Sequence, residues 1–188
     1  MKKHSATQVV IPCRGSYMHV IKPYSFDANT PEKYSMTLLI PKTDTKTIEK
    51  IKTAIKAAIE EGKSKLAKAG GGIPKNLKQP LRDADEEGME DPSYEGMMFI
   101  NATSRTRPQI VDRKVQPITD PEEIYSGCYC NVSVNFYAFN VGPNRGIAAG
   151  LNNIQKVKDG ERFAGGPSAE DDFEALPDDD EADDDIFG

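Results

Sequence analysis

The chain has 188 residues, of which 37% are apolar and 29% charged, with no Trp. That length suits one domain of ordinary size, and the modest apolar share leaves part of the chain outside a packed core. No run of about 18 apolar residues occurs, which excludes a membrane-spanning helix. No long apolar stretch follows the basic Met1–Ser5 start, which argues against a secretory signal and for a cytoplasmic protein.

Charge divides the chain unevenly. Eleven of its 30 acidic residues, and none of its 24 basic ones, fall in 168–188, so residues 1–167 carry 24 basic side chains against 19 acidic. The expected organisation is a folded domain over 1–167 and a disordered acidic tail over 168–188. A mildly basic body beside a strongly acidic tail points to a polyanion partner.

Residues 8–22 read as one long strand with breaks at Pro12 and Gly15, the second of which permits a bulge or bend. Residues 34–40 form a second strand, ended by Pro41-Lys42. A helix follows, capped by Thr43 or Asp44, with Ile48, Ile51, Ile55, Ile59 and Leu66 at helical spacing and a stop at Gly70–Gly72. Residues 70–95 carry no periodicity and read as a long surface loop.

Residues 97–105 alternate, with Met98, Ile100 and Ala102 opposite Phe99, Asn101, Thr103 and Arg105. Residues 128–140 alternate more clearly, with the even positions Cys128 to Ala138 as a core face. Short strands are expected at 109–112 and 147–158, and the body ends near Gly165–Pro167. Short strands, one main helix between the early ones and a glycine bend suggest a mostly β protein. The fold class is an OB-like antiparallel barrel with a long loop insertion.

Cys13, Cys128 and Cys130 are an odd, small set and read as reduced core thiols. The only histidines are His4 and His19, too few for a zinc site or a Cys-His or Ser-His catalytic arrangement. Gly70–Gly72 is followed by no Lys-Ser/Thr, so no phosphate loop is present. The stretch from Asp83 begins like a calcium loop but has Tyr94 where the bidentate Glu belongs. The chain is read as a non-enzyme without metal or cofactor.

The binding signal lies on the outer faces of the two best strands: Phe99, Asn101, Arg105, Tyr129, Asn135, Tyr137 and Phe139. Rings among amides and cations suit unpaired nucleobases, which stack on aromatic side chains while Arg and Lys hold phosphates. The other use of such a face is a second core with the helix packed over it. Arg14 and Lys42, beside strand bends, and Arg107, past a strand end, are further phosphate candidates. In the tail, Asp183, Asp184 and Asp185 lead into Ile186-Phe187, an apolar anchor for a partner protein. The tail's charge density also lets it compete for a basic groove, under salt screening.

The blocks Arg14–Tyr17, Tyr34–Lys42, Pro80–Asp85, Tyr125–Tyr137 and Gly150–Gly160 together resemble the phage and prophage single-stranded DNA-binding proteins. The first block adds Tyr17 to the candidate DNA-contacting residues. The resemblance implies an OB-fold that coats single-stranded DNA in phage replication or recombination. It also implies a homodimer and an acidic tail that recruits replication proteins and occupies the empty groove. Two positions depart from it: Ala84 stands where Gly is expected, and Gly188 follows the aromatic Phe187. Two other readings fit the same residues: an RNA-binding OB module, and a DNA mimic that inhibits a host enzyme through the tail.

Overall fold

The computed structural model describes residues 4–25 and 27–163. Among these, the strands are β1 (Gln8–Tyr24), β2 (Lys33–Pro41), β3 (Arg82–Asp83), β4 (Met97–Ser104), β5 (Gln109–Val111), β6 (Tyr129–Val141) and β7 (Asn144–Lys158). Two helices, α1 (Thr45–Glu61) and α2 (Lys63–Leu66), lie between β2 and β3.

Five strands close on themselves in the order β1-β2-β4-β7-β6. Four of the five junctions are antiparallel. The fifth is a parallel seam, Ala102 against Ala149 and Thr103 against Gly150. This is the OB-like barrel anticipated from the sequence, with its helix between the second and third barrel strands.

Alternation builds the interior. Val9, Ile11 and Cys13 of β1, Met36, Leu38 and Ile40 of β2, and Val132, Val134 and Phe136 of β6 all point into one core. Each such side chain contributes about 1.5–3 kcal/mol by leaving water. The three thiols are free and buried, and burial pushes the Cys13 thiol up.

Strand β1 reaches both neighbours because it bends. Its first half pairs with β6 from Gln8 to Arg14, and its second half with β2 from Arg14 onward. Arg14 stands at the corner, opposite Leu39 on one side and Tyr129 on the other. The register then slips between Ser16 and His19.

Helix α1 begins where the Asp44 carboxylate accepts from Thr47 N at 3.3 Å. Ile48, Ile51, Ala54, Ile55 and Ala58 form its buried stripe and join the barrel core. Gly62, at the break between α1 and α2, lies so near β6 that a Cβ there would sit 2.2 Å from that of Ala138. No larger residue fits without moving the helix off the barrel.

The segment expected as a plain surface loop over 70–95 is more ordered than its composition suggested. Strand β3 pairs with β4, Arg82 opposite Phe99, and a short 3-10 turn spans Pro92–Tyr94. Ala84 and Tyr94 are buried. These two anchors fasten a polar stretch to the outside of the barrel, and neither shows as periodicity.

Candidate nucleic-acid interface

The outer surface of β1, β2 and β4 is organised in rows. Arg14, Leu39, Phe99 and Arg82 form one row across four strands, Ser16, Thr37 and Asn101 the next, and His19, Ser35 and Thr103 a third. In the bulge of β1, Tyr17 takes φ +45° and is 59% exposed. A bulky residue in this left-handed region costs on the order of 1–3 kcal/mol, which the surrounding pairing must offset. The His19 ring stacks on Tyr24 with centroids 4.4 Å apart and planes 13° from parallel.

Tyr17, His19 and Tyr24 border a hollow of about 580 Å³, lined also by Thr37, Asn101, Thr103, Arg82, Tyr94 and Phe99. The Thr37 hydroxyl donates to Asn101 Oδ1 at 2.7 Å, so the Asn101 amide nitrogen remains as a donor. An apolar hollow with hydroxyls, an amide and rings at its rim has the size and chemistry to hold bases edge-on or stacked.

One wall of this hollow is the 82–96 segment. Tyr94 meets Phe99 edge-to-face at 5.7 Å, and the Arg82 guanidinium lies 4.8 Å from the Phe99 centroid. Lys42 Nζ clamps the segment, 2.7 Å from both Asp83 and Asp85. Asp85 also accepts from Gly96 N at 3.1 Å. The Lys42 ammonium holds both carboxyls below the ordinary carboxylate value, and the two carboxylates raise the Lys42 ammonium in turn. Burial pushes the Tyr94 phenol up.

A second hollow, about 360 Å³, lies across Arg14 and Leu39 from the first and is lined by Met97, Tyr129, Asn131 and Lys158. Arg14 is fixed there. Its Nε donates to Gly127 O at 2.9 Å and its terminal NH2 to Glu161 O at 2.7 Å. The guanidinium sits 4.2 Å from the Phe163 ring centroid and 5.2 Å from that of Tyr129, while Lys158 Nζ lies 4.7 Å from the Tyr129 centroid. Nearby, Arg162 lies 4.2 Å from the Tyr125 centroid, and the Tyr125 hydroxyl donates to Asp159 at 2.9 Å.

The residues singled out in the sequence divide among several places. Tyr17 and Asn101 border the first hollow; Arg14 and Tyr129 border the second. Arg105 and Arg107 are exposed on the connection from β4 to β5. Phe99 requires a correction: it faces outward as expected but is only 3% exposed, because the loop anchored by Ala84 and Tyr94 covers it. Lys42, expected to meet phosphate, instead neutralises two carboxylates of that loop.

Asn135, Tyr137 and Phe139 lie elsewhere. Strands β4 and β6 are not neighbours in the barrel, so their outer rings do not form the single face expected. Asn135 pairs with Gln8 at the start of β1 and accepts from the Thr7 hydroxyl at 2.9 Å. Tyr137, 44% exposed, leans over Gly150, beyond the end of β1. The tail residues Asp183 to Phe187 lie outside the described residues.

His19, Tyr24, Arg82, Tyr94 and Lys158 were missed. The register slips of β1 destroy the period of two from which His19 and Tyr24 would have been read. The available signal was three rings crowded into one strand after a glycine.

The profile of the family described as Enterobacter phage Enc34, ssDNA-binding protein, matches residues 7–187. Protein p50 of Acyrthosiphon pisum secondary endosymbiont phage 1 is 34% identical over 157 residues, 81% of this chain and 84% of p50. The single-stranded DNA-binding protein from bacteriophage Enc34, solved in complex with ssDNA, superposes with a TM-score of 0.70 at 28% identity, over 87% of this chain and 97% of that one. The bacteriophage T7 single-stranded DNA-binding protein gp2.5 shares the fold, with a TM-score of 0.56 at 16% identity over 86% of this chain and 97% of its own. The chain belongs to the Enc34 phage single-stranded DNA-binding protein family.

Proposed function

We propose that this protein coats single-stranded DNA without base specificity during phage replication or recombination, and performs no chemistry on it. The observation that carries the reading is the hollow bordered by the exposed Tyr17 ring and the His19–Tyr24 stack. Stacking contributes about 1–3 kcal/mol per base and every base has a face to offer. Arg105 and Arg107 beyond the hollow, and Arg14 and Lys158 in the second, supply cations for the backbone. The solved complex of the Enc34 relative with ssDNA supports the reading.

The acidic segment 168–188 competes with the strand for these cations, and its Ile186-Phe187 end engages replication or recombination proteins in the host cytoplasm. Binding of a fluorescent oligo(dT) is measured by anisotropy for the full chain and for a chain ending at residue 167. Tighter binding by the shorter chain is expected, with a salt dependence near 0.7 log units per phosphate contact. Absence of binding by the shorter chain at low salt overturns the proposal. A matched RNA oligomer competing better than DNA replaces it with an RNA-binding role.

A further inference from the structure

The two hollows meet along one row of paired residues. The row Arg14–Leu39–Phe99 marks the boundary: Leu39 and Arg14 line the second hollow, Phe99 the first. Phe163 packs on the cluster of Leu39, Ala84, Tyr94 and Phe99, and its ring lies 4.2 Å from the Arg14 guanidinium. It is the last described residue before the acidic segment. Its backbone N–H bonds to Ser126 O at 3.0 Å, and Ser126 Oγ in turn accepts from Met18 N in the bulge of β1 at 3.4 Å. Phe163 thus packs against residues of both candidate binding hollows, Tyr94 and Phe99 of the first and Arg14 and Leu39 of the second.

Its seat is built for a flat group. The Arg14 guanidinium is held by Gly127 O and Glu161 O, so the platform stays when the ring leaves. Tyr129 stands on that same guanidinium and carries Lys158 on its own ring. The sequence Phe163, Arg14, Tyr129, Lys158 alternates ring and cation. An arginine plane that stacks a benzene ring stacks a nucleobase as well, and it adds attraction for the adjoining phosphate.

We propose that Phe163 is a stand-in for a nucleobase: single-stranded DNA displaces its ring from Arg14. The strand then runs unbroken from the Tyr17–His19–Tyr24 hollow across Leu39 into the Arg14–Tyr129–Lys158 hollow. This inference rests on the single-stranded DNA reading given above.

The chain has no Trp, so Phe163→Trp in the full-length protein places a unique fluorophore on the seat. Adding oligo(dT) is expected to shift its emission to the red and raise its quenching by neutral acrylamide. Phe163→Ala, which removes the competitor, is expected to bind oligo(dT) about 2- to 30-fold more tightly, the range set by loss of one cation–π contact.

Wild-type protein in the same anisotropy assay separates the two failures. No binding by wild type overturns the DNA reading itself. Binding by wild type, with the emission and acrylamide access of the Phe163→Trp variant unchanged, overturns the displacement. Unchanged or weaker binding by Phe163→Ala does so too, since the ring would then be neutral or part of the DNA contact. If Phe163→Ala fails to fold, the emission of the Phe163→Trp variant decides alone.

Discussion

The barrel presents two outer faces of opposite character. On the face of β2, β4 and the second half of β1, rings stand beside apolar hollows, and a loop is clamped against them by ion pairs. Where β6 and β7 run beside the start of β1, away from the second hollow, polar side chains satisfy one another. Thr7 donates to Asn135 at 2.9 Å and Gln8 to Ser133 at 3.1 Å. Both faces read alike in the sequence, as aromatic residues alternating with amides. The difference lies in the surroundings of the amides: Asn101 carries the same kind of bond, from Thr37 at 2.7 Å, but stands in the hollow bordered by Tyr17, His19 and Tyr24.

The largest expected effect that separates the faces concerns Phe99. Phe99→Ala should destabilise the protein by about 3–5 kcal/mol in a denaturant melt, because the ring is enclosed by Tyr94 and Leu39. An unchanged melt with weakened DNA binding would make Phe99 an open stacking ring and undo the description of that face. Next is Tyr17→Gly, expected to cost about 1–3 kcal/mol of DNA affinity, roughly 5- to 150-fold, through loss of a stacked base. Its thermal stability should hold or rise by about 1 kcal/mol, since glycine adopts φ +45° without strain. A coupled loss of both would show that the bulge needs the tyrosine for folding.

Tyr137→Ala belongs to the self-paired face and should change DNA affinity by less than about 0.5 kcal/mol. A loss matching that of Tyr17 would merge the two faces into one binding surface. The smallest effect is a response to pH that only the clamped face shows. Asp83 and Asp85 are held below the ordinary value of 3.8, first by the Lys42 hydrogen bond. Their contribution is therefore complete above that value and fades as pH falls through the lowered ones. Hydrogen exchange at Ala84 N, bonded to Met97 O at 3.1 Å, should stay slow down to about pH 5 and, once corrected for intrinsic rates, quicken below about pH 4. Lys42→Ala should quicken it at neutral pH. Equal exchange in variant and wild type would remove the clamp.

The barrel itself was legible because its determinants are local and periodic. Val132, Val134 and Phe136 declare a core face, Asp44 and the isoleucines declare the helix, and Gly15 marks the bend that lets β1 serve two partners. The site was less legible for three separable reasons. Outward alternation at Phe99 says which way a ring points but not that Tyr94, five positions earlier, will cover it. Lys42 looks like a phosphate contact until Asp83 and Asp85 fold back onto it. Past Ser16 the register slips, so His19 and Tyr24 obey no period that the strand pattern displays. Joining β4 and β6 into one surface required the order of strands around the barrel, which no single strand encodes.

The split allegiance of β1 has a consequence for biosynthesis. Its first six residues find their partner only in β6, which closes at Val141, and the parallel seam waits for Ala149 and Gly150 of β7. A ribosome must therefore extrude most of the body before the opening half of the first strand is secured. Pairings this far apart in the chain fold on the slow side, about milliseconds to seconds. Until then the nascent chain carries an unpaired hydrophobic edge, exposed in the same compartment where the finished molecule is proposed to meet its DNA.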